Sequence, residues 1–178
     1  VVDCIYAMME KILSESRISY IKWDMNRSVT ECYSATLPPD RQGEVFHRYI
    51  LGVYDLYDRL TKKFPQVLFE SCASGGGRFD PGLLYYAPQG WASDDSDAVE
   101  RLKIQYGTTM CYPVSSIGSH VSVVPNHQVF RNTPLHTRAN VACFGTFGYE
   151  LDLNRLPEEE LEEVKKQIAF MKEYRELL

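Results

Sequence analysis

The chain has 178 residues and a formal net charge of −5, from 19 basic and 24 acidic side chains. This length fits one ordinary domain or part of a larger one, and 44% hydrophobic with 24% charged residues is typical of a soluble folded protein. No apolar run approaches the roughly 18 residues that span a bilayer, and the acidic balance argues against binding driven by phosphate neutralisation. We therefore expect no membrane span and no nucleic-acid partner.

Five cysteines are scattered along the chain, and no Cys-x-x-Cys pair occurs: Cys4, Cys32, Cys72, Cys111 and Cys143. An odd, widely spaced set argues against a disulfide framework or a zinc site. We therefore expect reduced thiols, no metal, no cofactor and a cytoplasmic location. The chain opens on Val1 with neither an initiator Met nor a signal pattern, which is typical of a segment cut from a longer protein.

Hydrophobic periodicity in the first half predicts helices and strands in alternation. Helices are predicted over 3–15 and 44–62, strands over 18–25 and 66–73, and a polar loop over 28–43. The triple glycine at 75–77 is too flexible to continue the second strand.

The second half continues the same alternation. The pattern predicts a strand over 89–93, a helix over 97–107, a strand over 109–114, a long loop through Gly118, His120 and Pro125, a helix over 133–144, a strand over 147–151, and a helix over 157–178 with Asn154 as its cap. Strands that alternate with helices predict a parallel sheet with crossover connections.

Two folds satisfy that alternation, an open doubly wound sheet and a (β/α) barrel. Polar side chains stand at the C-terminal ends of the first three predicted strands: Lys22, Asp24 and Asn26; Glu70 and Cys72; Asp94. An active site drawn from several strand ends is typical of the barrel. A full barrel needs about 250 residues, so about five strands predict an α/β fold that is the second half of a (β/α)8 TIM barrel.

The segment around Asp24 has the residues for nucleophilic chemistry. Lys22, Asp24 and Asn26 share one face of a strand, because side chains alternate. A nearby Lys favours the ionised form of a buried Asp, and a fixed carboxylate can attack the anomeric carbon of a sugar. A structural ion pair inside a barrel core explains the same pattern equally well.

The Asp-rich segment 93–97 combines helix capping with a candidate acid. Ser93 or Ser96 can cap the following helix, and Asp95 and Asp97 suit the positive end of its dipole. Asp94 stands at the strand end near Trp91, where desolvation would raise its pKa and suit it to general-acid catalysis. A magnesium site is the alternative for the Asp cluster.

The glycine-rich segment after the second strand lets backbone approach a ligand closely. A sugar ring is the better candidate than phosphate, because no Gly-Lys-Ser/Thr follows. Cys72 lacks an activating neighbour in sequence, so a ligand contact is favoured over a nucleophilic role. The four histidines show no metal-ligand spacing, and we expect surface or hydrogen-bonding roles for them.

These segments together resemble the α-galactosidases of glycoside hydrolase family 36. The matching stretches run from Tyr20 to Arg27 (YIKWDMNR), from Glu70 to Asp80 (ESCASGGGRFD), from Trp91 to Ala98 (WASDDSDA) and from Lys103 to Gly107 (KIQYG). Their order and spacing agree as well as their content.

The resemblance implies retaining hydrolysis of terminal α-galactosides such as melibiose and raffinose through a covalent galactosyl-enzyme intermediate. Asp24 matches the nucleophile of the family and Asp94 its acid/base, and retaining enzymes hold two such carboxyl groups about 5–5.5 Å apart. The positions that match galactose contacts are Lys22, Asn26, Cys72, Gly75 and Trp91.

The resemblance also implies that residues 1–178 are the C-terminal part of the catalytic barrel, without the upstream half and the flanking β domains. We expect a homo-oligomeric parent enzyme and an inactive isolated segment. Galactosyl transfer, α-N-acetylgalactosamine hydrolysis and a non-catalytic sugar-binding or assembly role are the alternatives.

Overall fold

A computed structural model describes residues 1–26 and 29–177 of the chain. The contacts divide the chain into two compact units, one of Val1–Ser74 with Arg78–Pro88 and one of Gly75–Gly77 with the residues from Gln89 onward. Each unit combines helices with a pair of parallel strands, so the predicted α/β class is confirmed. None of the described helices has the length and apolar character needed to cross a bilayer.

In the first unit, a long helix precedes each of two parallel strands. Its elements are α1 (Val2–Glu15), β1 (Tyr20–Trp23), a 3-10 helix (Pro39–Glu44), α2 (Val45–Lys63), β2 (Leu68–Ser71) and the short α3 (Pro81–Leu84). β1 and β2 pair in a register that sets Lys22 opposite Glu70. Both strands are shorter than predicted, and the 3-10 helix lies in the predicted loop.

The core of the first unit forms where α2 packs on the strands. Leu60 of α2 is fully buried and Phe69 of β2 is 1% exposed. The ring of Tyr57 lies 5.3 Å from that of Trp23 and 5.6 Å from that of Phe69 between centroids. Burying each such side chain contributes about 1.5–3 kcal/mol, so Trp23 anchors β1 to the helix layer.

The second unit repeats the theme around a second parallel pair. Its elements are β3 (Gln89–Gly90), α4 (Ala98–Thr109), a 3-10 helix (Val114–Ser116), β4 (Gly118–Ser122), α5 (Leu135–Ala142), β5 (Thr146–Glu150), a 3-10 helix (Leu153–Arg155) and α6 (Glu158–Tyr174). Val121 of β4, Leu135 and Ala139 of α5 and Val164 of α6 form its buried core.

The prediction of a strand over 109–114 and a loop through Gly118 and His120 is wrong. Helix α4 continues to Thr109, where the Oγ1 atom of Thr109 donates to the carbonyl oxygen of Tyr106 at 2.7 Å. The strand lies instead at Gly118–Ser122, so His120 is a strand residue. Val121 is the only aliphatic residue of this strand, which therefore lacks the apolar run on which the prediction depended.

The predicted helix cap at Asn154 is also wrong. Asn154 lies in a 3-10 helix, and its backbone N–H donates to the Asp152 side chain at 3.0 Å. Helix α6 begins after Pro157, where the ring removes one of the N–H groups that a helix start leaves unpaired.

Candidate active site

Strand β1 presents its polar side chains on the face away from the first core. Ile21 and Trp23 pack against that core, whereas Lys22 is exposed. Asp24 and Asn26 follow on the exposed side just beyond the strand. The predicted sharing of one face by these residues is confirmed.

The Asp24 carboxylate accepts hydrogen bonds from groups that the parallel pairing brings to it. Burial tends to raise the pKa of Asp24, but hydrogen bonds from the side chains of Cys72 and Asn26 and from the backbone of Ser74 and Met25 outweigh it, so the pKa lies below its ordinary value. The side chain is exposed, not buried as the sequence suggested. The carboxylate is therefore ionised at neutral pH and accessible to a ligand.

Hydrogen bonds to its backbone N–H and carbonyl groups fix the position of Cys72. Its backbone N–H donates to the carbonyl oxygen of Trp23 at 2.9 Å, and its own carbonyl oxygen accepts from the backbone N–H of Met25 at 3.3 Å and from Nη2 of Arg78 at 2.9 Å. The residue is 3% exposed. The thiol therefore has a defined place beside Asp24, where its hydrogen bond lowers the pKa of that carboxyl group.

Asn26 organises the turn that follows β2. Its Oδ1 atom accepts from the backbone N–H of Ser74 at 2.9 Å and from the Ser74 hydroxyl at 3.2 Å. Arg27, which belongs to the motif quoted above, lies outside the described residues.

Lys22 pairs with Glu70 rather than acting on Asp24. The Nζ atom lies 3.7 Å from Oε1 of Glu70, which is 1% exposed, and the Tyr20 hydroxyl contacts Oε2 of the same carboxylate. The prediction that Lys22 holds Asp24 ionised is therefore corrected, because hydrogen bonds lower the pKa of Asp24. Glu70 fixes the ammonium group on the exposed face.

In the second unit, the glycine-rich turn packs directly on the strand end that carries Asp94. A Cβ atom on Gly75 would lie 2.6 Å from Cα of Ser93, and one on Gly76 would lie 2.7 Å from the carbonyl oxygen of Ala92. Gly75 also has a φ of 77°, which favours glycine. Both positions therefore require glycine for the turn to contact the backbone of Ala92 and Ser93, independently of any ligand.

Asp94 is exposed, whereas its acidic neighbours are committed to structure. Oδ2 of Asp97 caps α4 by accepting from the backbone N–H groups of Val99 and Glu100 at 3.1 Å each, and Oδ1 of Asp95 accepts from the backbone N–H of Asp97 at 3.0 Å. The predicted capping by Ser93 or Ser96 is wrong, because Asp97 is the cap. Asp94 is the acidic side chain of this group left facing outward.

Trp91 is buried between two side chains that the sequence did not single out as its neighbours. The His120 ring stacks on it with centroids 4.6 Å apart, and the Arg101 guanidinium lies 4.5 Å from the ring centroid. Nδ1 of His120 in turn lies 3.6 Å from Oε2 of Glu150 on the neighbouring strand. No sequence motif pointed to Arg101 or His120 as a neighbour of Trp91. The only clue is that Arg101 and Gln105 interrupt the apolar pattern of the inward face of α4.

The grouping that a metal ion requires is not found in residues 1–26 and 29–177, where no three His, Cys, Asp or Glu side chains come together. The five cysteines are free thiols, of which Cys72 is buried.

The first unit thus displays an accessible, ionised Asp beyond the end of β1, and the second displays an exposed Asp beyond the end of β3, an arrangement typical of α/β proteins that draw an active site from strand ends. The model of the Melibiase family matches residues 1–178. The chain belongs to the Melibiase family.

Relatives agree over nearly the whole chain. The chain is 56% identical over 178 residues to α-galactosidase AgaA of Geobacillus stearothermophilus and 55% identical over 175 residues to α-galactosidase Mel36A of Lactobacillus acidophilus, covering 100% and 98% of this chain and 24% of each relative. A crystal structure of the α-galactosidase from Lactobacillus brevis superposes with a TM-score of 0.95 at 57% identity, over 98% of this chain and 23% of that one. The chain thus spans about a quarter of the length of these relatives.

Proposed function

We propose that the protein containing this chain is a retaining α-galactosidase that removes terminal α-galactosyl residues from oligosaccharides such as raffinose and melibiose. The observation that carries the proposal is the Asp24 carboxylate, exposed and held ionised by hydrogen bonds from Cys72 and Asn26. An oriented anion at a strand end is what attack on an anomeric carbon requires.

In the proposed reaction Asp24 and Asp94 share two steps. Asp24 attacks C1 of galactose from the face opposite the leaving group, the bond from C1 to the leaving oxygen breaks, and Asp94 gives that oxygen its proton. Asp94 then takes a proton from water, whose oxygen displaces Asp24 from C1. Two inversions restore the α configuration.

The solved relatives support these two roles. Structures of α-galactosidase AgaA include an Asp-to-Asn variant with raffinose and an Asp-to-Ala variant with stachyose. The two substituted positions are 70 residues apart in that enzyme, which is also the separation of Asp24 and Asp94. Substitution that leaves a galactoside bound is the behaviour expected of groups that act on the bond rather than hold the sugar.

We assign the glycone contacts to the residues around these two carboxylates: Lys22, Asn26, Cys72, Gly75 and Trp91. Lys22 supports this assignment because its ammonium group stands on the exposed face of β1, anchored by the buried Glu70. Trp91 and Gly75 are buried at the strand end that carries Asp94. In this assignment they shape the site, while Lys22 and Asn26 offer hydrogen bonds to sugar hydroxyl groups.

The architecture we propose for the parent protein is a (β/α)8 barrel of which residues 1–178 are the C-terminal part. Support comes from the parallel pairing within each unit, with chemistry-bearing residues at strand ends. A cytoplasmic location and a homo-oligomeric parent enzyme stay predictions.

The proposed function is tested in the intact enzyme by following raffinose hydrolysis with NMR, where α-galactose must appear before its β anomer. Asp24→Ala should abolish turnover, and azide should restore it by forming β-galactosyl azide, because the small anion enters from the side of the missing carboxylate. First appearance of β-galactose from the unaltered enzyme would contradict a retaining mechanism.

The acid/base role has its own test with a matched control. Asp94→Ala should lower kcat/KM for raffinose by about 10²–10⁴-fold and spare nitrophenyl α-galactoside, whose leaving group needs little protonation. Asp95→Asn keeps the Oδ1 acceptor that Asp95 offers to Asp97, and we expect nearly unaltered kinetics. Equal losses on both substrates in the Asp94 variant would show that the proton donor is another group.

A further inference from the structure

Arg101 is a buried cation that contacts the residue before Asp94, the start of β4 and the ring of Trp91. It is 2% exposed on α4. Nη1 donates to the carbonyl oxygen of Ser93 at 3.1 Å, Nη2 donates to that of Gly118, and Nε donates to Oε1 of Gln105 at 3.1 Å. The guanidinium also covers the ring of Trp91, at 4.5 Å from its centroid.

Placing a guanidinium here is costly. Burial lowers the pKa of Arg101 to about 10, although the charges of Glu150 and Asp95 favour the cation. Well-packed apolar side chains often serve stability as well as a buried charge does. The planar fork of Arg, with five donors in fixed directions, instead joins two separate segments in one geometry: the residues that follow β3, where it meets Ser93 and the face of Trp91, and the start of β4.

We propose that Arg101 is a positioning residue for catalysis, which fixes the main chain at Ser93, and thereby Asp94, together with the ring of Trp91. This inference rests on the function proposed above. Ser93 precedes Asp94 directly, so a shift of the Ser93 carbonyl group moves the carboxyl group of Asp94. Gln105 holds the guanidinium in turn, since its Nε2 atom donates to the carbonyl oxygens of Val141 and Phe144.

Arg138 offers a matched control within the same unit. It is 3% exposed on α5, and burial lowers its pKa as well. Nε donates to the carbonyl oxygen of Thr133 at 2.9 Å and Nη1 to that of Ser122 at 2.6 Å. An Arg→Lys substitution therefore removes a buried fork at each site, but only Arg101 reaches Ser93 and Trp91.

The test compares Arg101→Lys and Arg138→Lys in the intact enzyme, with kcat/KM measured for raffinose and for nitrophenyl α-galactoside. We expect Arg101→Lys to lower kcat/KM for raffinose by about 10²-fold, the scale for a misplaced catalytic group, and that for nitrophenyl α-galactoside by less than about 10-fold. Arg138→Lys should lower Tm and change kcat/KM for both substrates by the same factor.

Equal losses on the two substrates in Arg101→Lys, or the same selectivity in Arg138→Lys, would overturn the inference. If Arg101→Lys does not fold, Gln105→Met removes the acceptor of Nε and keeps the arginine; a loss confined to raffinose supports the inference and an equal loss overturns it. The unaltered enzyme in the same assay separates this result from the proposed function, because failure to hydrolyse either galactoside would refute both.

Discussion

Gly75→Ala is expected to impair catalysis well beyond its effect on folding. The new Cβ atom would lie 2.6 Å from Cα of Ser93 and 2.8 Å from the backbone nitrogen of Asp94, whereas ordinary contact begins near 3.4 Å. Because both neighbours are backbone atoms, no side chain can rotate away. The strand end must retreat by about 0.8 Å, close to the displacement of about 1 Å that costs roughly 10²-fold in rate.

The same substitution also strains the turn. Gly75 has a φ of 77°, and the left-handed region costs a residue with a Cβ atom about 1–2 kcal/mol. We therefore expect a Tm a few degrees lower, and a kcat/KM for raffinose lower by about 10²-fold at a temperature where the variant is folded.

Gly107→Ala provides the control for Gly75→Ala. Gly107 is exposed within α4, and a Cβ atom there would meet nothing within 4 Å. Alanine in a helix is favoured over glycine by about 0.5–1 kcal/mol, so Tm should rise slightly with unaltered kinetics. A Gly75→Ala enzyme with unaltered kcat/KM would refute the argument that this contact sets the place of Asp94.

Three further outcomes are expected. Cys72→Ala removes a hydrogen bond that lowers the pKa of Asp24, so the acidic limb of the profile of kcat/KM against pH should move to higher pH; an unmoved limb would contradict this role. Leu60→Ala, at a fully buried site, should cost about 2–5 kcal/mol, whereas Leu51→Ala, at 50% exposure on the same helix, should cost under about 0.5 kcal/mol, both read from thermal unfolding. The isolated segment 1–178 should associate in sedimentation and lack galactosidase activity, because it exposes many large apolar side chains; a compact, active monomer would disprove this.

The alternation of side chains along β1 was enough to predict how the residues around Asp24 are arranged. Alternation along β1 correctly separated Trp23 on the core side from Lys22 on the outer face. The ionised state of Asp24 was also predicted, but its cause was not. Cys72 is 48 residues away in sequence and reaches Asp24 through the parallel register of β1 and β2, a pairing that spacing along the chain does not reveal.

The second unit shows why β4 was missed. Three of its five residues are Gly118, Ser119 and Ser122. The two serines are buried because they bond to neighbouring elements: the Ser119 hydroxyl donates to Oε1 of Gln105 and the Ser122 hydroxyl to the carbonyl oxygen of Ser96, both at 2.8 Å. Gly118 has no room for a side chain, since a Cβ atom would lie 2.9 Å from the Trp91 ring. Tertiary partners stabilise this strand, and hydrophobic patterning cannot detect them.

The contact of Gly75 and Gly76 with the backbone of residues 92–94 limits which substitutions the protein can accept as its sequence diverges. Contacts between main chains do not depend on the identity of neighbouring side chains, so substitutions at Ala92 or Ser93 leave the backbone contact itself in place. Positions 75 and 76 accept only glycine without moving that backbone. Directed evolution toward new acceptor sugars should therefore yield active variants with substitutions at Ala92 and Ser93. Variants with substitutions at Gly75 and Gly76 should be lost.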